Sequence, residues 1–102
     1  MDKKEVDWGN IGFAYHTTDQ RYVADFKNGQ WQEGYMTGDA TLVLNECAGI
    51  LQYCQEVFEG LKAYTTADGS IVTFRPDLNA ERMMDSAKRM EMPPFPKERF
   101  IE

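Results

Sequence analysis

The segment from residue 56 to residue 90, EVFEGLKAYTTADGSIVTFRPDLNAERMMDSAKRM, decides the fold because its hydrophobic period changes half-way along. Residues 56–64 have the character of a strand, and Asp68-Gly69 is a two-residue hairpin signal that leads into a second strand at 70–74. From Pro76 to Met90 the apolar residues instead recur at the spacing of one helix face. The segment therefore predicts a hairpin followed by a helix.

A second hairpin is predicted upstream of this segment. Residues 21–27 alternate between apolar and polar side chains with a period of two, and Asn28-Gly29 follows as a strong turn signal. A turn at that position places Phe26 opposite Trp31, an aromatic cross-strand pair of the kind that stabilises antiparallel ribbons. Residues 41–44 form a short apolar run that is typical of a further, buried strand.

The order of the elements, strands first and helices after, predicts the α+β class, with an antiparallel sheet of two hairpins packed against helices. Asp77 or Asn79 is a candidate cap for the long helix, and its methionine stripe is expected to be ordinary core. Pro96 suits the start of another helix over residues 97–102. Because the sequence stops inside that helix, we expect residues 1–102 to be a truncated domain.

Length and charge restrict the possible partners. A chain of 102 residues is one domain or less, and 17 acidic against 11 basic residues give a formal charge of -6. The resulting field repels phosphate backbones and anionic lipids, so nucleic-acid and membrane partners are not expected. The sequence has neither the apolar stretch of a signal peptide nor an apolar run of about 18 residues, so a cytoplasmic location is expected.

Several kinds of chemistry lack their residues in this sequence. With His16 as the single histidine, a histidine-rich metal cluster and an HExxH motif are excluded, and both glycine-rich nucleotide loops are missing. Cys47 and Cys54 are too few for a disulfide framework, and their spacing of seven matches no zinc motif. We therefore expect two reduced thiols and no metal ion.

Three stretches together are more specific than any of these features: residues 51–64 (LQYCQEVFEGLKAY), the Asp68-Gly69 turn, and residues 74–83 (FRPDLNAERM). Together they closely resemble the N-terminal part of branched-chain amino acid aminotransferases, which are pyridoxal-phosphate enzymes of fold type IV. The similarity runs over nearly the whole chain. One departure is Cys54, where the family usually has Gly, Ser or another small residue.

The resemblance implies a binding site to which three residues of this chain contribute. Arg82 matches the arginine that binds the phosphate of pyridoxal 5'-phosphate, and a guanidinium near a helix N-terminus suits that dianion. Tyr53 matches a tyrosine that lines the branched-chain substrate pocket from across the dimer interface. Phe13 matches an aromatic residue of the same pocket. For both aromatic residues, plain core packing is the alternative.

The resemblance also implies that the Schiff-base lysine lies outside this chain, on a larger second domain beyond position 102. No catalytic residue is therefore expected within residues 1–102, which would be the N-terminal small domain of the enzyme. Lys62, in the predicted strand next to the motif, is the one alternative among the lysines. The others do not match: Lys3, Lys4, Lys27, Lys88 and Lys97.

The complete protein is expected, from the resemblance, to be a homodimer that transfers the amino group of Leu, Ile or Val to 2-oxoglutarate. The isolated segment is expected to be inactive. One alternative is another fold type IV enzyme, a D-amino-acid transaminase or an aminodeoxychorismate lyase, although those relatives tend to carry a Phe-Gly-Asp-Gly stretch that this chain lacks. The other alternative is a non-enzymatic small domain that binds an apolar ligand or a partner protein.

Overall fold

The computed structural model describes residues 4–102, which form short antiparallel strands and helices. In chain order the elements are β1 (Arg21–Val23), β2 (Phe26–Lys27), β3 (Gln30–Trp31), β4 (Tyr35–Thr37), α1 (Gly49–Tyr53), β5 (Ala63–Thr65), β6 (Ile71–Thr73), α2 (Pro76–Arg89) and α3 (Lys97–Ile101). A single 3-10 turn, Trp8–Asn10, precedes β1. The predicted α+β class is therefore confirmed.

The upstream ribbon contains the predicted hairpin. Its turn residues Asn28 and Gly29 have φ angles of 53° and 77°, as a turn with two left-handed positions requires. Phe26 pairs with Trp31 across the ribbon, and their rings meet edge to face with centroids 5.3 Å apart. β1 pairs with β4 further from the turn, so the predicted strand over 21–27 is interrupted between Val23 and Phe26.

The second predicted hairpin is also present, but it is shorter than expected. β5 pairs with β6 in a separate two-stranded sheet, and Gly69 in the turn has a φ angle of 85°. Asp68 accepts hydrogen bonds from the Thr66 hydroxyl at 2.5 Å and from the Ser70 N–H at 3.0 Å. The prediction that the strand begins at residue 56 was wrong, because no strand of the described residues 4–102 lies beside residues 56–62 to accept their backbone hydrogen bonds.

The predicted strand over residues 41–44 is absent. The segment has no regular structure, and its apolar side chains are exposed: Leu42 at 67%, Val43 at 93% and Leu44 at 51%. A strand is stable only when a neighbour accepts its backbone hydrogen bonds, and no strand within residues 4–102 lies beside this one. The expected burial is therefore not provided by the described part of the chain.

Helix α2 confirms the predicted helix and begins at Pro76 as expected, but neither candidate residue caps it. Pro76 occupies the first turn, where its missing N–H costs nothing, so Arg75 becomes the cap residue. No side chain caps α2: Asp77 instead accepts two hydrogen bonds from Arg75, at 2.9 and 2.7 Å, and Asn79 turns toward residues 59–60. The arginine beside it lowers the pKa of Asp77 to about 2.

An aromatic cluster joins the upstream ribbon to the segment between α2 and α3. The Trp31 indole N–H donates to the Pro94 carbonyl at 2.8 Å, and the Trp31 and Phe95 rings lie 4.9 Å apart. The Arg99 guanidinium of α3 lies 5.1 Å from the Phe95 ring centroid and donates to the Tyr22 hydroxyl at 2.9 Å. These contacts hold α3 against the ribbon.

The chain is more open than a compact domain of its size. Its accessible surface is 9120 Å², against about 5900 Å² for a folded protein of this mass. Its radius of gyration is 16.0 Å, against about 13 Å for a compact domain of this length. Within residues 4–102 the buried hydrophobic residues are Ala80 and Ala87 of α2, while Met83 and Met84 of the methionine stripe are half-buried. No helix in this part of the chain is both long and apolar enough to cross a membrane.

Candidate functional site

Arg82 projects from α2 toward the segment that precedes β5. Its Nε and Nη2 donate to Oε1 and Oε2 of Glu59, each at 2.9 Å, so the pair is bidentate. The two partners differ in exposure: the Arg82 side chain is 61% exposed, and the Glu59 side chain is 12% exposed. The guanidinium is therefore accessible to a ligand while its partner is shielded.

Asn79 holds Glu59 from the other side. Its amide nitrogen donates to Oε2 of Glu59 at 2.5 Å and to the carbonyl of Gly60 at 2.9 Å. Asn79 is itself buried, with 7% of its surface exposed. The hydrogen bonds from Arg82 and Asn79 hold the pKa of Glu59 below its ordinary value, and the hydrogen bond to Glu59 in turn raises the pKa of Arg82. Both groups therefore carry their charges at neutral pH.

The donors of Arg82 that remain are suited to an anion. A guanidinium has five N–H donors, and the bidentate pair uses two of them, which leaves three. Arg82 makes no other hydrogen bond among the described residues. A planar group with several unused donors on an exposed edge fits a phosphate dianion. The donor set is thus consistent with the phosphate contact that the resemblance implies.

The backbone of Arg82 lies beyond the first turn of α2. Arg82 is the seventh residue of α2, so it lies six residues beyond Pro76, or about 9 Å along the axis. The dipole acts mainly within the first turn of a helix. The guanidinium itself reaches back toward that turn, because its Nη2 and the amide of Asn79, the fourth residue of α2, donate to the same Oε2 of Glu59.

The two aromatic residues of the predicted site lie on other parts of the chain. Tyr53 is the last residue of α1 and is 83% exposed, whereas Phe13 lies before β1 and is fully exposed. Plain core packing, the alternative for both residues, does not occur within residues 4–102. No hydrogen bond or ring contact in this part of the chain joins either residue to Arg82. The described chain therefore does not assemble the three predicted residues into one pocket.

Cys54 occupies a position that restricts the side chain. It ends α1 with a φ angle of 50°, a left-handed conformation, and its N–H donates to the carbonyl of Gly49. Glycine adopts this conformation without cost, and residues with a Cβ adopt it less easily. This backbone geometry therefore suits Gly, one of the small residues that the resemblance leads us to expect at the position of Cys54, better than it suits Cys.

The remaining candidates show no site of their own. His16 and both cysteines are exposed, and the two thiols are free, as predicted. No group of three or more metal-binding side chains occurs among residues 4–102. Lys62 is exposed in the irregular segment before β5 and not in the predicted strand.

Sequence reasoning missed the role of Glu59, which holds Arg82, and that of Asn79, which holds Glu59. A signal for Asn79 was present, because it lies on the apolar stripe of α2, one helical repeat before Met83 and two before Ala87. A polar residue at a core position needs a buried hydrogen-bond partner. That partner, Glu59, lies 20 residues away along the chain, so it could not be inferred from the local sequence pattern.

These features define an α+β domain with an exposed arginine suited to an anion and extensive uncovered apolar surface. The chain is 51% identical over 98 residues to a branched-chain-amino-acid aminotransferase of Haemophilus influenzae, which covers 96% of this chain and 29% of the relative. A second such enzyme, of Helicobacter pylori, is 41% identical over 97% of this chain and 29% of its own length. The corresponding Bacillus subtilis transaminase is 40% identical, with coverages of 98% and 28%.

The chain belongs to the branched-chain aminotransferase family and spans less than a third of the length of these curated relatives. No family model matches it.

Proposed function

We propose that this chain is the small domain of a longer, pyridoxal-phosphate-dependent branched-chain aminotransferase. The complete protein transfers the amino group of Leu, Ile or Val to 2-oxoglutarate, as a homodimer in the cytoplasm. Two observations support the proposal: the identity to aminotransferases over nearly the whole chain, and the exposed Arg82 guanidinium with three unused donors.

In this proposal the residues of the chain bind and orient, and they do not carry out the bond-breaking step. The cofactor, when bound, supplies the electron sink for amino transfer. Arg82 holds its phosphate, and Tyr53 and Phe13 form apolar walls of the substrate pocket, Tyr53 acting across the dimer interface. The catalytic lysine comes from outside residues 1–102, so the segment alone is inactive.

One relative widens the range of substrates to be tested. A protein of Arabidopsis thaliana named as a methionine aminotransferase is 47% identical over 89 residues, which covers 86% of this chain and 25% of that relative. Methionine has an unbranched apolar side chain of similar size to that of leucine. We therefore include Met beside Leu, Ile and Val in the assay, with 2-oxoglutarate as the acceptor and glutamate formation as the readout.

The cofactor contact is tested by replacing Arg82 with Ala in the complete protein. A charge-assisted bidentate contact to phosphate is strong, so the dissociation constant for pyridoxal 5'-phosphate should rise by about ten- to a hundredfold. The matched control is Arg89→Ala, which removes the same charge from the exposed last turn of α2. Unchanged cofactor affinity in Arg82→Ala, or an equal loss in both variants, would remove Arg82 from the site.

A further inference from the structure

Glu59 differs from the other acidic partners of ion pairs within residues 4–102. Its side chain is 12% exposed, the lowest value of any ion-pair member in that part of the chain. Ion pairs between two exposed side chains are mobile and contribute little. A shielded carboxylate that holds an exposed guanidinium in two hydrogen bonds instead fixes the orientation of that guanidinium.

The carboxylate is itself held in place. Asn79 donates to Glu59 and to the carbonyl of the next residue, Gly60, so one buried amide bonds to both the side chain and the backbone of this segment. Rotation of the Glu59 carboxylate would break the bond to Asn79 as well as those to Arg82. The three residues therefore form a chain of hydrogen bonds from the buried face of α2 to its exposed edge.

We propose that Glu59 is a positioning residue, which orients Arg82 so that its unused donors face the phosphate of the cofactor. This role rests on the proposed function. The pair uses Nε–H and one hydrogen of Nη2, so the free donors are the two hydrogens of Nη1 and the second hydrogen of Nη2, none of which points at the carboxylate. An arginine already held in one orientation loses less conformational freedom on binding than a free one.

Two other roles of Glu59, competition with the phosphate and stabilisation of the fold, predict different changes in cofactor affinity. If the Glu59 carboxylate occupied the place of the phosphate, the two anions would compete for Arg82, and removal of the Glu59 charge would tighten cofactor binding. If Glu59 only stabilised the fold, its removal would lower the melting temperature of the apoprotein without acting through Arg82. The sign of the change in affinity and its dependence on Arg82 separate these cases.

The test is the dissociation constant for pyridoxal 5'-phosphate in the complete protein, measured on cofactor-free samples of each variant. Glu59→Gln keeps the size of the side chain but accepts fewer hydrogen bonds from Arg82, and we expect about a tenfold higher dissociation constant, as for partners that orient metal ligands. The matched control is Glu56→Gln, three residues before Glu59. It removes the same charge from a side chain that forms no ion pair within residues 4–102, so the affinity of this variant for pyridoxal 5'-phosphate should stay at the wild-type value.

A double variant shows whether Glu59 acts through Arg82. Glu59→Gln combined with Arg82→Ala should bind the cofactor no more weakly than Arg82→Ala alone, because the residue being oriented is gone. Additive losses of cofactor affinity in the double variant would overturn the positioning role, and so would an unchanged or lower dissociation constant in Glu59→Gln. Either result would leave the phosphate contact of Arg82 intact. Wild-type affinity in Arg82→Ala would refute the phosphate contact itself, and with it this role.

Discussion

Gly34 lies under the ring of Tyr22, which makes a Gly34→Ala substitution a direct test of the packing around α3. A Cβ at residue 34 would lie 2.1 Å from Cζ and Oη of Tyr22, well inside contact distance. Tyr22 is 48% exposed, but its hydroxyl accepts a hydrogen bond from Arg99 at 2.9 Å and its ring meets that of Phe95 edge to face at 6.5 Å, so movement of the ring loses these contacts. The substitution must therefore displace Tyr22 from both partners.

The cost follows from the contacts that are lost. Separating Tyr22 from a charged donor and from an aromatic neighbour, with partial compensation by water, should destabilise this region by about 1–3 kcal/mol. That corresponds to about five- to 150-fold faster exchange of amide hydrogens that open locally with α3. The Phe100 N–H, which donates to the Pro96 carbonyl, is a suitable probe.

Hydrogen exchange of the complete protein, followed by mass spectrometry, measures this change without requiring two-state unfolding. Gly9→Ala is the matched control, because a Cβ there would meet Asp7 at 3.5 Å, an ordinary contact. In a Tyr22→Ala background, Gly34→Ala should have almost no further effect, since the obstructing ring is absent. Additive effects of the two substitutions, or unchanged exchange in Gly34→Ala, would refute the steric argument.

Three further predictions concern the turn, the pocket and the isolated segment. The Thr66 hydroxyl and the Ser70 N–H lower the pKa of Asp68 to about 2; because these bonds require the carboxylate, their contribution to stability is full above about pH 4 and is lost as the pH falls toward 2. The Ser70 amide shift of the folded protein should therefore change with a midpoint near pH 2 by NMR, and Asp68→Asn should abolish the change. In the complete protein, Tyr53→Phe should lower the turnover of Leu modestly, and Tyr53→Ala should lower it by about ten- to a hundredfold. Mixing Tyr53→Ala subunits with subunits that lack the catalytic lysine should restore part of the activity. No recovery in verified heterodimers would contradict a pocket shared between subunits. The segment 1–102 alone should show no amino transfer with added pyridoxal 5'-phosphate, and borohydride reduction with peptide mapping should label no single lysine; stoichiometric labelling of Lys62 would contradict this.

The parts of the fold that depend on a few neighbouring residues were predictable. Asn28-Gly29 and Asp68-Gly69 both turn the chain as expected, because their backbones adopt the left-handed or turn conformations that these residue types favour. The helical period from Pro76 onward likewise predicted α2 to within one residue of its observed end at Arg89. The short helix α1 was missed, since five residues carry too little periodicity to be recognised.

Of the cluster formed by Arg82, Glu59 and Asn79, the sequence predicted a binding role only for Arg82. Arg82 was assigned a role from its match to a family pattern, whereas no role was assigned to Glu59, and Asn79 was considered only as a helix cap, although both lie in the same motif stretches. Their contact joins residues 20 positions apart and depends on how α2 lies against the segment before β5. The orientation of the guanidinium was therefore inaccessible to any reading of local sequence.

By itself the sequence determined the turns, the long helix and the family, because dihedral preferences, helical periodicity and residue identity are properties of the chain before it folds. Only the tertiary structure decided that residues 41–44 and 56–62 pair with no strand of the described chain and that a buried asparagine links Glu59 to α2. Strand pairing and buried polar contacts need a partner from a distant part of the chain. Their free energy is gained only when that partner is in place, so it is set by three-dimensional packing and not by the residues of the segment alone.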